Sequence, residues 1–334
     1  MEINRYKEGY KSNLNLKENE IAIKKIREYF ESHLAKKLNL LRVTAPLFVL
    51  SKTGINDDLN GVEVPVSFKI NDFENNIEIV HSLAKWKRLN IAKYGLEVHE
   101  GIYTDMNAIR KDEIRDNYHS IYVDQWDYEL IINKKERTIK TLKDYVKRIY
   151  SVIKKTEDFA FKKFNIEKIL PNKITFITSE ELLKKYPDLS PKERVDTFIK
   201  EVKACFVIGI GYPLSDGIPQ DHRAPDYDDW KLNGDIYVYN PILDDALELS
   251  SMGIRVDSPS LIKQAKFLNK EEILNYKFHK LILNEGLPFT LGGGIGQSRI
   301  CMFMLKKLHI GEVQSSIWKE ETINFYKEKG ITLL

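Results

Sequence analysis

Cysteine is nearly absent, with Cys205 and Cys301 the only two in 334 residues. Each sits among apolar neighbours, Ala204-Cys205-Phe206 and Ile300-Cys301-Met302, where a thiol behaves as a small core residue. A disulfide framework and a four-thiolate zinc site are therefore both excluded. The seven histidines are scattered, and His99-Glu100 lacks the second histidine that a helical zinc-binding pair requires. No Gly-Lys dipeptide occurs, which removes the phosphate-binding P-loop, and Gly209-Ile210-Gly211-Tyr212-Pro213-Leu214 lacks the third glycine of a dinucleotide fingerprint. Apolar runs are short, none approaching the roughly 18 residues needed to span a bilayer. Met1 to Arg5 carry no apolar leader core, so a cytoplasmic location is expected. Charge of one sign is also missing: 52 Lys and Arg against 49 Asp and Glu leave +3. Neither nucleic acid nor an anionic membrane is an expected partner, and any phosphate recognition must be local.

What is present is the composition of a folded protein, 43% hydrophobic, 11% aromatic and 30% charged. At roughly 150 residues per domain the length allows two domains, yet no low-complexity linker divides the chain. One catalytic domain, residues 1–334, with an α-rich insertion around 140–203 is the expected organisation. Ile26, Phe30, Leu34 and Leu38 recur every four residues and predict an amphipathic helix over 18–40. A short strand at 41–47, stopped by Pro46, and a Gly/Asn/Asp loop at 54–61 follow. Strands are predicted at 62–70, 76–81, 101–109 and 118–130, with a helix at 83–94. Because few helices separate them, the sheet should be largely antiparallel. Leu142, Tyr145, Val146, Ile149, Val152 and Ile153 predict a long helix. A strand at 174–177 and helices at 180–185 and 191–202 complete the insertion. Further strands are expected at 204–209, 235–240 and 246–250, helices at 261–267, 270–283 and 297–308, and a glycine loop after a strand at 290–292.

Six segments are candidates to carry chemistry. In Leu291-Gly292-Gly293-Gly294-Ile295-Gly296-Gln297-Ser298-Arg299, glycines allow close backbone approach to a ligand ahead of a helix N-terminus. That pattern also fits an ordinary tight turn, and Arg299 tips the balance, since a planar cation there can stack on a purine or hold a phosphate. Arg110 ends an apolar strand and is followed by Lys111-Asp112-Glu113. Period-two geometry puts Gln125, Asp127 and Glu129 on one strand face with Ile121 and Val123, either lining a cavity or leaving the core for solvent. Asp235 and Glu248, near strand sequence, are candidate holders of Mg²⁺ against a polyphosphate. The run Asp226-Tyr227-Asp228-Asp229 fits an α-amino group or an exposed acidic loop. Finally, His81-Ser82-Leu83-Ala84-Lys85-Trp86-Lys87-Arg88 reads as a strand end entering a basic helix.

Together these pieces resemble the class II aminoacyl-tRNA synthetase core: a helix, strand and proline through Pro46, Arg110 to Glu113, and Gly292 to Arg299. More narrowly, the strings at 81–88, 122–127, 223–230 and 248–255 are similar to bacterial ammonia-dependent asparagine synthetases, a resemblance spanning nearly the whole chain. It implies an α+β fold with a central antiparallel β-sheet flanked by helices, in a homodimer. The implied reaction is attack of the L-aspartate β-carboxylate on the α-phosphate of Mg-ATP, giving β-aspartyl-adenylate and pyrophosphate. Ammonia then displaces AMP to give L-asparagine.

By the same resemblance, Arg110 would hold the α-phosphate, Arg299 would stack on adenine, and Gly294 and Gly296 would line the nucleotide subsite. Gln125 would bond near the acyl group. Asp57, or the adjacent Asp58, would face ammonia. Ser82, Lys87, Asp127, Asp228, Ser251 and Arg255 would hold aspartate, and Asp235 with Glu248 the magnesium. Only Lys231-Leu232 separates Trp230 from Asn233, where a longer loop is possible in this family, so a shortened lid is expected there. A tRNA synthetase is disfavoured by the near-neutral charge and the lack of an oligonucleotide-binding module. A silent amino-acid or nucleotide-binding regulatory paralogue is the competing reading. Glutamine is disfavoured as nitrogen donor because Glu2, not cysteine, follows Met1.

Overall fold

A computed structural model describes residues 4–57, 59 and 63–334. Asp58, the alternative to Asp57, lies outside these residues.

Helix α1 (Leu16–Leu38) starts where Asn15 and Glu18 form a reciprocal capping box and stops at Asn39, which takes the left-handed conformation. Its i, i+4 stripe is buried, and Phe30 stacks on Trp126 with ring centroids 4.7 Å apart. Strand β1 (Leu40–Arg42) follows at once; the expected strand at 41–47 ends early because Ala45-Pro46 lead away to β2 (Phe48–Leu50). β2 pairs with β4 (Ile77–Ile79), which also pairs with β3 (Ser67–Phe68), making a separate three-stranded sheet. The expected strand at 62–70 thus shrinks to two residues, since Pro65 cannot donate to a ladder.

After α2 (Ala84–Ile91) come β5 (Gly101–Ile109) and β6 (Tyr122–Ile131), then α3 (Ile139–Phe164), β7 (Thr175–Thr178), α4 (Ser179–Lys185) and α5 (Pro191–Val202). The α5 start combines a Ser190/Glu193 capping box with proline in the first turn. Next are β8 (Ala204–Ile208), β9 (Asp228–Asn240), β10 (Asp245–Arg255), α6 (Ser258–Phe267), α7 (Lys277–Leu283), β11 (Thr290–Gly296), α8 (Gln297–Met304) and α9 (Glu320–Lys327). The helix expected over 270–283 is a short 3-10 turn, Glu271–Asn275, and then α7.

The main sheet has eight strands in the order β1-β5-β6-β11-β10-β9-β8-β7. Its interior pairs are antiparallel, and only the two outermost pairs, β1 with β5 and β7 with β8, are parallel. One face packs Trp126, Tyr128, Leu130, Phe206, Ile236 and Val238 into a core shared with α1, α3 and α8. On the other face α2 covers β5, β6 and β11, while α5 covers β8, β9 and β10. Between α2 and α5, residues 125, 127, 129, 235 and 251 project from the sheet centre.

Two expectations are corrected here. The glycine-rich run is not a loop: Gly292, Gly293, Gly294 and Gly296 are residues of β11, the first three paired on both sides and Gly296 with Gln125 of β6. Trp230 to Asn233 form no lid loop either, because these residues lie inside β9, where Asn233 is opposite Gly253 and Asp228 opposite Arg255 across a register irregularity. Among the described residues, no helix is long and apolar enough to cross a membrane.

Candidate active site

The strand registers align chemistry across the sheet. Asp127 of β6 lies opposite Gly294 of β11, Gly294 opposite Ser251 of β10, and Ser251 opposite Asp235 of β9. A parallel row runs Glu129, Gly292, Gly253, Asn233. Glycine is required in the middle strand: a Cβ on Gly294 would strike Gln125 Oε1 and come 2.6 Å from Asp127 Oδ1, and one on Gly292 would strike Glu129 Oε2. The glycines leave a recess in the sheet, and polar side chains from both neighbours fill its walls.

Above this floor is a cavity of about 330 Å³. Gln125, Asp127 and Val123 line it, so the period-two face of β6 is a cavity wall and not a strand end running into solvent. Lys87 enters from α2 and Ser82 from the segment just before it, Ser251, Arg255 and Glu248 from β10, and Asp228 from β9. Gly294, Gly296 and Arg299 border it from β11 and the first turn of α8. Arg110, at the end of β5, and Asp57 complete the set. Asp235 alone of the expected residues stands behind the wall, its Oδ2 taken by Arg223 Nη2 at 2.5 Å.

The charges inside are tightly paired. Arg255 is held by Glu129 and by Asp228, 2.6 Å away, so its guanidinium nitrogens are committed within the protein. Burial favours a neutral Glu129, but Arg255 outweighs it and holds that carboxyl below its ordinary value. At Asp228 burial wins over Arg255, and its pKa is raised. Lys87 Nζ lies 3.1 Å from Gly293 O and 3.3 Å from Asp127 Oδ2, with burial depressing its pKa. The run Asp226-Tyr227-Asp228-Asp229 is no exposed loop, for all three acids are buried.

The Arg299 end is arranged differently. Arg299 Nη1 donates to Glu248 O at 3.1 Å and lies 3.6 Å from Glu248 Oε1. Burial pushes the Asp235 carboxyl up to about 6, Arg223 opposing and Glu248 reinforcing the shift. Its Oδ1 has no partner in hydrogen-bond geometry, although the Ser251 hydroxyl adjoins the carboxylate. Among the described residues no three His, Cys, Asp or Glu converge as a metal cage. A buried Asp235 with an open oxygen, together with the partly exposed Glu248, fits Mg²⁺ that arrives with phosphate and water ligands, not a dedicated all-protein site.

At the opposite end, burial raises the Asp57 carboxyl, Lys85 opposing and Asp226 adding to the rise. Beneath it Asp226 Oδ2 is 2.8 Å from both Lys85 Nζ and His279 Nε2. Burial would raise Asp226, yet Lys85 and His279 hold it well below the usual carboxylate range. Gly54, at φ +76°, packs its backbone on the His279 ring, where a Cβ would come 2.9 Å from Cε1. Sequence reasoning gave no individual role to Arg223, Lys85, Glu129 or His279, and offered Asp226 only within an acidic run suited to an α-amino group. Arg223, Lys85 and Glu129 lay in segments already singled out; His279 carried no signal, being an isolated histidine in a helical pattern.

The sequence profile of the aspartate–ammonia ligase family matches residues 17–330. The chain belongs to that family. It is 59% identical over 328 residues to a Clostridium perfringens aspartate–ammonia ligase, covering 98% of each chain. A Ruminiclostridium cellulolyticum aspartate–ammonia ligase is 56% identical over 329 residues, again 98% of each. In fold the chain is similar to the asparaginyl-tRNA synthetase of Pyrococcus horikoshii complexed with asparaginyl-adenylate, with a TM-score of 0.65 at 17% identity over 89% of this chain and 68% of that one. The Entamoeba histolytica asparaginyl-tRNA synthetase gives 0.63 at 16%, covering 90% and 67%. These likenesses establish the expected α+β, class II synthetase-like architecture.

Proposed function

We propose that this ligase makes L-asparagine from L-aspartate, ammonia and ATP through a β-aspartyl-adenylate, releasing pyrophosphate and then AMP. The observation that carries the reading is the placement of Arg110, Gln125 and Asp57 on one cavity whose floor joins a carboxylate and lysine end to an Arg299 end. Asp127 and Asp228 supply negative charge for the α-amino group of aspartate, and Lys87 positive charge for a carboxylate; Ser82 and Ser251 add hydroxyls. Arg255 holds Glu129 and Asp228 in place more than it offers free donors.

Arg110 would neutralise charge on the α-phosphate as the β-carboxylate attacks and pyrophosphate leaves. Gln125 hydrogen-bonds near the acyl group, Arg299 stacks on adenine, and Gly294 and Gly296 let the nucleotide approach the strand. Mg²⁺ held by Asp235 and Glu248 would screen the β- and γ-phosphate charge. Asp57, made more basic by burial, takes a proton as the amide forms.

The 334 residues are read as one catalytic domain, supported by a single main sheet whose strands come from 40–42 through 290–296. A homodimer is proposed on the short exposed edge strand β1 and the solvent-facing apolar side chains of Leu41, Leu47 and Phe48 beside it. Cytoplasmic action without a nucleic-acid partner accords with the net charge of +3. The test is formation of AMP, pyrophosphate and asparagine from ATP, Mg²⁺ and aspartate with ammonium, with glutamine, or with neither. Products with ammonium alone support the reading; aspartate or ATP binding without turnover would overturn it.

A further inference from the structure

A second, smaller cavity of about 220 Å³ adjoins the first and shares Leu59, Glu63, Arg110 and Glu113 with it. His81 lines only this second space. The imidazole is fully buried, and its Nε2 has no hydrogen-bond partner. Its Nδ1 lies 3.0 Å from the backbone oxygen of Asp57. A carbonyl oxygen only accepts, so Nδ1 must carry the hydrogen, and Nε2 is then the nitrogen with a free lone pair. An unpaired acceptor buried beside a cavity calls for a donor to fill it.

His81 is also tied to both residues given chemical work. Asn56 Oδ1 accepts from the backbone NH groups of Asp57 and of His81, each at 3.0 Å, and Arg110 Nη2 donates to His81 O at 3.3 Å. The charged residues that line this side cavity with His81 are Glu63, Asp112 and Glu113, Arg110 and Lys111, with Asp57 on the adjoining main cavity. Lys111 is spent on Asp112, 2.7 Å from both oxygens. Counting these, carboxylates outnumber cations around the histidine. A small cation with donors and no acceptor fits such a space, and ammonium is one.

We propose that this side cavity admits ammonium, and that His81 Nε2 takes the proton ammonium must lose before it attacks. The inference rests on the ligase reading. One N–H bond of ammonium breaks, its hydrogen passing to Nε2 and the electron pair staying on nitrogen. That pair forms the C–N bond to the β-carbonyl carbon of the adenylate. The C–O bond to AMP breaks with its electrons on the departing phosphate oxygen. Nitrogen sheds its second surplus proton to the Asp57 carboxylate, and both protons later return to water.

The experiment compares wild type with His81→Asn, whose side-chain amide can still donate to the Asp57 carbonyl but has no base at Nε2. Aspartate-dependent pyrophosphate exchange reports adenylate formation, and amide formation is measured with ammonium and with hydroxylamine, which is largely unprotonated at neutral pH. Expected are retained exchange, a fall of about 100-fold or more in kcat/KM for ammonium, and most of the turnover preserved with hydroxylamine. The ammonium defect should also shrink as pH rises and free ammonia becomes abundant. Equal losses with both nucleophiles, or no loss with ammonium, would overturn the proposal. Should His81→Asn lose exchange through misfolding, Glu113→Gln takes its place. A raised KM for ammonium and an unchanged one for hydroxylamine then support the proposal, and unchanged values for both refute it. Absence of exchange in the wild type would instead sink the ligase reading itself.

Discussion

Arg255 Nη2 lies 2.7 Å from Glu129 Oε2, bridging β10 and β6 over the bare backbone of Gly292 on the strand between them. The Arg255 Nε adds contacts of 3.0 and 3.1 Å to the same carboxylate. Both side chains are buried, so neither charge has water to fall back on. Glu129→Gln should destabilise the fold by about 3 kcal/mol, the scale of removing one partner from a buried pair. Urea denaturation followed by tryptophan fluorescence would measure it, and a change within about 0.5 kcal/mol, as for ordinary surface substitutions, would contradict the assignment.

In the proposed mechanism Arg110 and Asp57 serve different half-reactions. Arg110→Ala should cut aspartate-dependent pyrophosphate exchange by about 100-fold to 1,000-fold, the range for losing one preorganised electrostatic donor. Asp57→Asn should leave exchange nearly intact and depress amide formation. Comparable loss of both steps in the Asp57 variant would refute this separation.

Gly294→Ala tests the recess in the floor. The new methyl group would strike Gln125 Oε1 and press on Asp127 Oδ1, 2.6 Å away, displacing the side chains on which aspartate is proposed to rest. Activity should fall by about 100-fold, as for a misplacement near 1 Å, while circular dichroism stays that of the parent. Full activity in this variant would mean that the substrate lies elsewhere.

Two aspartates should give stability opposite pH dependences. Asp226 is held below its unfolded value, so its contribution is present above the ordinary carboxylate range and is lost as pH falls through its folded pKa. Asp226→Asn should flatten the acid limb of thermal stability. Asp235, pushed up to about 6, binds its proton more readily when folded. Stability of the ligand-free protein should therefore decline as pH rises through about 6, and Asp235→Asn should remove that decline. Melting temperatures from about pH 2, below the ordinary carboxylate value, to about pH 8, above the raised one, check both signs.

Local patterns made much of this molecule readable. The i, i+4 stripe from Ile26 to Leu38 announced α1, and alternation along β6 put Gln125 and Asp127 on the side where the cavity lies. Other features depend on partners distant in the chain. Gly292 to Gly296 read as a loop because strand propensity penalises glycine, whereas two flanking strands with bulky polar side chains demand it. Trp230 to Asn233 suggested a short connection because the strand signal resumed only at Asp235; pairing with β10 extends β9 back to Asp228. The cluster of Lys85, Asp226 and His279 joins α2, the segment before β9 and α7, and no spacing within any one of them hints at the other two.

The position of β11 also governs when the protein can become itself. This strand, made of residues 290–296, inserts between β6, which ends at Ile131, and β10, which ends at Arg255. A ribosome that has released the first 255 residues has delivered both banks of the sheet without the strand that joins them. Until residues 290–296 emerge, unpaired strand edges stand exposed in the nascent protein. Closure of the sheet must wait for this long-range pairing, so folding should be sensitive to any truncation that removes β11.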